Sequence, residues 1–485
     1  MKADSQTPTG AKMNNLVIDM THGGVKIAIS LAKKGRNVLA YDIYNTLNVI
    51  DRKMLDIYDI WLIDDLGELE TYRGEMRVIH PVHLPLSHNE IIEKNPDLKY
   101  SFSTHHEIIK ELLEDWGSDI DKIEVTGVKG KTSCAFMLKE ILIDENPLML
   151  SSLGALLYEN GNEIILKKDI SIAPANIKET IDLAYKIANP ICKIADGIVE
   201  SENLRKYDSA IFESSLGASG IGDVGLLTNI SENYPIAKGR LTAAEAKKQI
   251  FRCKTVVCEK ESFDEYYCDV SHPKVNTFSL DDETANLYVR TASYSLDKTE
   301  ITVRYKNVKT TGDEILNGQL TVKTFAPGRH HVKNVLGVIL TCLTLKINEN
   351  KIVEGLANYK GITGRTTKRS NGNSTIIEEI NPGINTDAIK QSINMINDLS
   401  GWYVAIGGDY GITCEEIDEN KVADYLDSIE SDIILTGDVG SSIAGKMSRQ
   451  TEFIENIDEI YSLATENDKN LLFIYRSDYH KISQR

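Results

Sequence analysis

The sequence predicts an α/β chain in which a doubly wound parallel sheet, built around a phosphate-binding loop, is flanked by two Rossmann-like units. Three observations predict it. Residues 123–133, IEVTGVKGKTS, read as a strand, a glycine turn and a helix start. Residues 16–41 read as strand, helix, strand. From about residue 351 onward, apolar strands again alternate with helical segments. The expected division is 1–117 for an N-terminal Rossmann-like domain, 118–347 for a central phosphate-loop domain and 348–485 for a C-terminal Rossmann-like domain.

Bulk properties narrow the function. The chain has 485 residues and a net charge of −18. That balance lacks the basic footprint of a nucleic-acid binder and the polybasic stretch that holds a protein to anionic lipid. Seven cysteines are scattered without a C-x-x-C spacing, which indicates neither a zinc ribbon nor a disulfide framework and fits a reducing, cytoplasmic setting. Residues 1–12 are polar, read as disordered and lack the apolar core of a signal peptide. The longest apolar run, VLGVILTCLTL, is too short to span a bilayer. Oligomeric state is not legible.

The elements follow in order. LVIDM (16–20) reads as a buried strand, VKIAISLAKKG as a helix closed by Gly35, and residues 37–41 as a second strand ending at Asp42. His22, Gly23 and Gly24 occupy the first turn. Two glycines at a helix start suit an anion such as a carboxylate, or else only permit close helix–strand packing. The loop is not G-x-G-x-x-G, so a dinucleotide is not indicated. Further strands are expected at 60–63 and 77–79, then a loop carrying His80, His83 and His88 that suits substrate contact or a plain polar turn better than a metal. Thr104-His105-His106-Glu107 is a capping box, placing both histidines in a first helical turn, as exposed residues or facing a ligand.

The central unit opens with the phosphate loop. A general Walker A loop, G-x-x-x-x-G-K-[ST], would need glycine at Val125; this one is the shorter G-x-x-G-K-T, Gly127 to Thr132. Its backbone amides can converge on phosphate, Lys131 can reach the terminal phosphates, and the Thr132 hydroxyl can hold Mg²⁺. Residues 151–166 read as a mixed connection and 177–195 as a helix. Strands are expected at 210–214, 224–229 and in TVVCEK, with TAAEAKKQIF as a helix. Glu213 at a strand end is either a Mg²⁺ ligand or a cap for the next helix. Residues 298–325 alternate polar and apolar as an antiparallel hairpin. In the C-terminal unit, STIIEEI, WYVAIGG, DIILTG and LLFIYR read as strands.

Five motifs in order resemble the Mur ligases and their relatives: TGVKGKTS; Glu213-Ser214-Ser215; Thr228-Asn229-Ile230; GRHHVKN, Gly328 to Asn334; and Gly364-Arg365. The resemblance implies an ATP- and Mg²⁺-dependent enzyme of three domains. By it, Gly127, Gly130, Lys131, Thr132 and Ser133 hold the nucleotide phosphates and Glu213 joins Thr132 on magnesium. Asn334 contacts adenine, and Arg365 reaches the nucleotide from the third domain. Lys247, next to Lys248, falls where many members carry a carbamylated lysine. Members with a metal-ligating Asp-His pair after the T-N strand carry it where this chain has Asn233 and Tyr234.

DMTHGG, THHE, GVKGKTS and INPGIN together are similar to a branch of the family that adds no amino acid. That branch activates a carboxylate side chain of a nickel tetrapyrrole and closes a carbocyclic ring upon it. The resemblance implies a small-molecule nickel tetrapyrrole partner, with nickel present only as part of that substrate. His22, Gly23, Gly24, His83, His105 and Asn385 are its candidate contacts. His83, His105, Glu378 and Glu379 are candidate bases. Two rivals stand beside this reading: a Mur-type amide ligase and a nucleotide-dependent binding switch.

Overall fold

Five parallel strands open the chain, in the edge-to-edge order Trp61–Ile63, Asn37–Tyr41, Asn14–Ile18, Glu75–His80 and Lys99–Thr104. This computed structural model describes residues 13–188, 192–194, 197–199, 206–397, 399–411 and 417–477. The reading of residues 1–12 and Cys414 lie outside them. The three inner strands are buried on both faces, as parallel sheets require. Leu16 and Ile18 enter one core, with Leu39, Met76 and Val78, while Val17 enters another, with Ala40, Ile79 and Leu55. The order reverses beside Asn14–Ile18, so the crevice at the carboxyl ends of Asn14–Ile18 and Glu75–His80 is a topological switch point.

The chain divides into two compact units, one comprising Met1–Tyr288, Tyr305–Gly318 and Gly337–Ile352, the other the remainder. In the first unit the central sheet runs Val275–Ser279, Thr255–Glu259, Val224–Leu227, Asp121–Thr126, Ser209–Glu213, Leu148–Ser151, Gly154–Glu159 and Asn162–Lys167. All neighbours are parallel up to Leu148–Ser151; the last two strands are antiparallel. Leu148, Leu150 and Phe212 share a core with Val17 of the opening sheet and Ile27 of the helix Val25–Lys33.

Several expectations are corrected. Residues 151–166 hold two antiparallel strands, not a loose connection. The signal was Asn160-Gly161, both with positive φ (52° and 78°), which makes a tight hairpin turn. The helix expected over 177–195 spans Pro174–Ala188, and Cys192–Ile194 is a strand. The helix expected in TAAEAKKQIF is Ala243–Lys247 followed by a 3₁₀ turn, Lys248–Arg252.

In the second unit the strands run Arg365–Asn371, Ser374–Ile380, Asn470–Arg476, Trp402–Gly408, Asp432–Thr436 and Glu452–Phe453. Only the first pair is antiparallel. Val404 and Ile406 face one core and Ala405 another, the alternation of a sheet covered on both sides.

Candidate active site

Three adjacent strands of the central sheet end together, and each contributes a different part. After Asp121–Thr126 the chain turns on Gly127 and Gly130 into the helix Lys131–Ile141. Gly127 has φ +142°, and a Cβ there would lie 1.9 Å from Thr228 Oγ1; Gly130 has φ +82°. A side chain is strained at either position. The neighbouring strand Val224–Leu227 braces the loop from its end. Thr228 Oγ1 donates to Lys129 O (2.6 Å), the Lys129 amide donates to Asn229 Oδ1 (3.2 Å), and the Val128 amide donates to Asn229 O (2.9 Å). Lys131 Nζ lies over the loop, donating to Gly127 O (3.0 Å) and Val128 O (3.2 Å). Ser133 follows in the first helical turn.

On the other side, Ser209–Glu213 delivers a buried carboxylate. Thr132 Oγ1 donates to Glu213 Oε1 at 3.0 Å, and the Ser152 amide donates to Glu213 Oε2 at 3.0 Å. The Ser152 hydroxyl lies 3.1 Å from Thr132 Oγ1. Glu213 therefore does not spend its carboxylate on capping a helix. A hydroxyl and a carboxylate at this separation are an all-oxygen donor set of the kind magnesium takes, so the residues fit that ion. Ser152 belongs to no motif quoted above; it arrives through the hairpin that the sequence reading missed.

Lys247 is fully buried, and its Nζ donates to Ser215 O at 2.6 Å. Burial pushes its ammonium well below the usual lysine range, and the charge of Lys131 adds to this. Lys248 is exposed, pairing with Asp269 at 3.8 Å. Asn233 accepts from the Ala244 amide (2.9 Å) and so supports the short helix Ala243–Lys247.

The second unit holds Asn334, buried on the helix Arg329–Thr344, and Arg365, which opens its edge strand. His331 is buried, with Nδ1 accepting from the Gly328 amide (3.2 Å) and Nε2 against Thr366 Oγ1 (2.9 Å); Thr366 donates onward to Glu379. Burial raises the Glu379 carboxyl to about 7, against the lowering effect of those hydrogen bonds. Glu378 is instead held by Arg369 (3.0 and 3.1 Å) and Tyr461 (2.8 Å). Asn385 caps the helix Thr386–Asn394, accepting from the Ala388 amide at 3.1 Å.

In the opening sheet the two glycines pack tightly. A Cβ on Gly23 would lie 2.5 Å from Ala175 Cβ, and one on Gly24 would lie 2.1 Å from Asp19 O. His22 Nδ1 meets Asp19 Oδ2 at 2.6 Å. His83 Nε2 lies 3.4 Å from His22 Nδ1. The capping box Thr104–Glu107 forms as expected. The exposed alternative for its histidines is overturned: His105 and His106 are 1% and 3% exposed, packed where the helix meets the rest of the first unit. Burial drives both imidazoles down to about 3. His105 Nε2 reaches Ile18 O at 3.2 Å, while neither ring nitrogen of His106 has a hydrogen-bond partner.

Solved structures share this architecture. MurF from Acinetobacter baumannii matches with a TM-score of 0.56, 13% identity and coverage of 87% of this chain and 91% of that one. MurF ligase from Thermotoga maritima, solved in complex with ADP, matches with a TM-score of 0.55, 12% identity and coverage of 87% and 98%. The fold is the one shared by ligases of the Mur type, and the phosphate loop resembles theirs.

Within that class, residues 368–478 match the family model described as "Coenzyme F430 synthetase CfbE, C-terminal domain". The chain is also similar to coenzyme F(430) synthetase of Methanocaldococcus jannaschii, at 26% identity over 92% of this chain and 95% of that one. The resemblance read from the five motifs is thereby borne out. Among the described residues no helix is long and apolar enough to cross a membrane.

Proposed function

We propose that this chain uses ATP to activate a carboxylate of a nickel tetrapyrrole and then closes a carbocyclic ring on it, converting seco-F430 acid to coenzyme F430 with release of ADP and phosphate. The observation that carries the reading is the likeness to the Methanocaldococcus enzyme over nearly the whole chain, phosphate loop included. The domain limits 1–117, 118–347 and 348–485, and a cytoplasmic location, belong to the same proposal.

In the first step a carboxylate oxygen attacks the γ-phosphorus, the bond to the bridging oxygen breaks, and ADP leaves. Two anions must meet, so the chain's work is positioning and charge neutralisation. The loop amides between Gly127 and Ser133 hold the phosphates. Lys131 exchanges its loop carbonyls for phosphate oxygens. Thr132 and Glu213 would hold magnesium, which would offset the phosphate charge. Lys247, buried and stripped of its usual charge preference, is the position for carbamylation. Asn334 takes adenine and Arg365 the nucleotide from the third domain.

In the second step a base removes a proton from a ring carbon, that carbon attacks the acyl carbon, and phosphate leaves. Because nucleophile and electrophile belong to one molecule, no amino-acid site is needed. The fixed roles of Asn233 and Asn385 as backbone acceptors support that. Glu379, raised to about 7, suits a base better than Glu378, whose oxygen is already engaged by Arg369 and Tyr461. His22 and His83 lie on the side proposed for the macrocycle, while the buried His105 and the tightly packed Gly23 and Gly24 support that turn from within.

The test is incubation of the protein with ATP, Mg²⁺ and a nickel seco-tetrapyrrole acid, following the absorption spectrum and phosphate release with amino acids omitted. The expected result is one product formed per phosphate. Turnover only on adding an amino acid would make the chain an amide ligase. Phosphate release without any spectral change would make it a switch.

A further inference from the structure

We infer that the turn after the first strand is a binding site for a divalent transition metal, with Asp19 Oδ2, His22 Nδ1 and His83 Nε2 as its three ligands. The inference concerns the bare protein and does not depend on the ligase reaction.

The first argument is convergence. The three ligand atoms lie within 4.8 Å of one another. His22 Nδ1 is 3.4 Å from His83 Nε2, and His83 Nε2 is 3.7 Å from Asp19 Oδ2. Metal–nitrogen bonds of about 2.0–2.1 Å in a tetrahedron place neighbouring ligand atoms about 3.3–3.4 Å apart. Two of the three edges are already near that length. The third, Asp19 to His22 at 2.6 Å, is a hydrogen bond. Opening it needs only a small swing of His22, whose side chain is 48% exposed. A simple Asp–His pair accounts for one ring nitrogen at the carboxylate, not for two nitrogens turned toward the same oxygen.

The second argument is how the carboxylate is held. Asp19 is fully buried with φ 75°, a region that non-glycine residues rarely occupy and that recurs at functional positions. Its Oδ1 accepts from the amides of Thr21 (2.9 Å) and His22 (3.2 Å), which leaves Oδ2 turned to the histidines. Gly24 lets the helix start press against Asp19 O, and His105 fixes the preceding carbonyl, Ile18 O. Such outer contacts orient metal ligands and are part of the affinity of a site.

The third argument is place. Asp19 and His22 follow Asn14–Ile18, and His83 follows Glu75–His80. These two strands flank the switch point of the opening sheet, where open α/β sheets bind ligands. Two imidazoles and one carboxylate suit zinc, cobalt, nickel or ferrous iron better than magnesium or calcium. Three protein ligands with a half-exposed histidine leave a coordination position open to solvent, the pattern of reactive rather than structural sites. The nearby His80 and His88 lie apart from this cluster: their Nε2 atoms are 3.1 Å apart, and His88 stacks on Phe102 at 3.8 Å.

Chelator-stripped full-length protein, carrying Cys268→Ser to remove the thiol that is exposed among the described residues, is titrated with Co²⁺ in millimolar Mg²⁺ and without nucleotide. The expected result is one equivalent bound, with the visible bands of four- or five-coordinate cobalt. His22→Ala and His83→Ala should each weaken it by about 30-fold, while His88→Ala leaves it unchanged. Thermal melts without metal establish that each variant is folded. If His83→Ala does not fold, the exposed His22→Ala decides. Unchanged affinity in His22→Ala, loss in His88→Ala instead, or displacement of cobalt by magnesium would each overturn the assignment.

Discussion

Two turns in this chain have the same outline and opposite chemistry. Each follows a buried parallel strand, carries two glycines and opens a helix. In the central turn, Gly127 and Gly130 take positive φ, and Lys131 Nζ lies over the loop they form. The first turn, 19–24, is closed against anions. Gly24 is pressed on Asp19 O, Gly23 on Ala175, and the first amides of the turn are already taken by the turn's own carboxylate, Asp19. What that turn presents, together with His83 of the neighbouring loop, is a carboxylate oxygen and two imidazoles, a setting for a cation. A glycine pair at a helix start therefore does not by itself identify an anion site; the residue just before the turn decides which ion is welcome.

The largest effect should come from the central turn. Lys131→Ala leaves the loop backbone intact and removes the charge that lies over it, so ATP turnover should fall by about 10³-fold, within the range seen for a single cation removed from phosphoryl transfer. Steady-state phosphate release checks it, with nucleotide affinity measured separately. Equal turnover in the variant would erase the contrast between the two turns. Next comes Gly24→Ala, where the new Cβ would meet a backbone oxygen at 2.1 Å that has no room to yield. Overpacking of this kind should destabilise the protein by about 3 kcal/mol, read as a lowered urea midpoint. Gly127→Ala meets the Thr228 hydroxyl, which can rotate, and the Asn229 amide at 3.1 Å, and it strains a φ of +142°, so it should lower both the urea midpoint and nucleotide affinity.

How far the sequence carried the reading follows the same physics. Strands buried on both faces were legible as apolar runs: Asn37–Tyr41, Ser374–Ile380 and Trp402–Gly408 lie where periodicity put them. Lys99–Thr104 was not, because an edge strand reading KYSFST is only half buried. The helix Val49–Ile57 escaped because it exposes Val49 and Ile50, which blurs its apolar stripe. In the site, Lys131, Thr132 and Glu213 announce themselves through local motifs at strand ends. Ser152 has no motif, and its contact with Glu213 needs the fold. The pairing of His22 with His83, 61 residues apart, needs the strand order, since only the crossover to Glu75–His80 sets those loops side by side. Glu124 reads as a polar interruption in an apolar strand. In the structure it is fully buried, accepting from the amides of Ser219, Gly220 and Gly222, so it fastens the loop that precedes Val224–Leu227.

The smallest expected effect is in pH, and it sharpens the contrast between a turn backed by neutral imidazoles and a region holding a neutral carboxyl. His105 and His106 keep folded values of about 3 against an ordinary 6.5. The unfolded chain then binds more protons than the native one between those limits. Their stabilising contribution is present above pH 6.5 and is lost as the pH falls toward 3. Glu379 runs the other way. Its folded value of about 7 lies above the ordinary 4.5, so its contribution is present below pH 4.5 and is lost as the pH rises through 7. Urea midpoints between pH 5 and 8 should therefore respond to His106→Leu and Glu379→Gln with slopes of opposite sign. His106→Leu should flatten the acid limb, because neither ring nitrogen makes a hydrogen bond that leucine would forfeit. Glu379→Gln should flatten the rise in stability on moving from pH 7 down to pH 5. Parallel slopes in the two variants would mean that the histidines beneath the first turn are protonated in the folded protein, and that this turn is no better suited to a cation than its central counterpart.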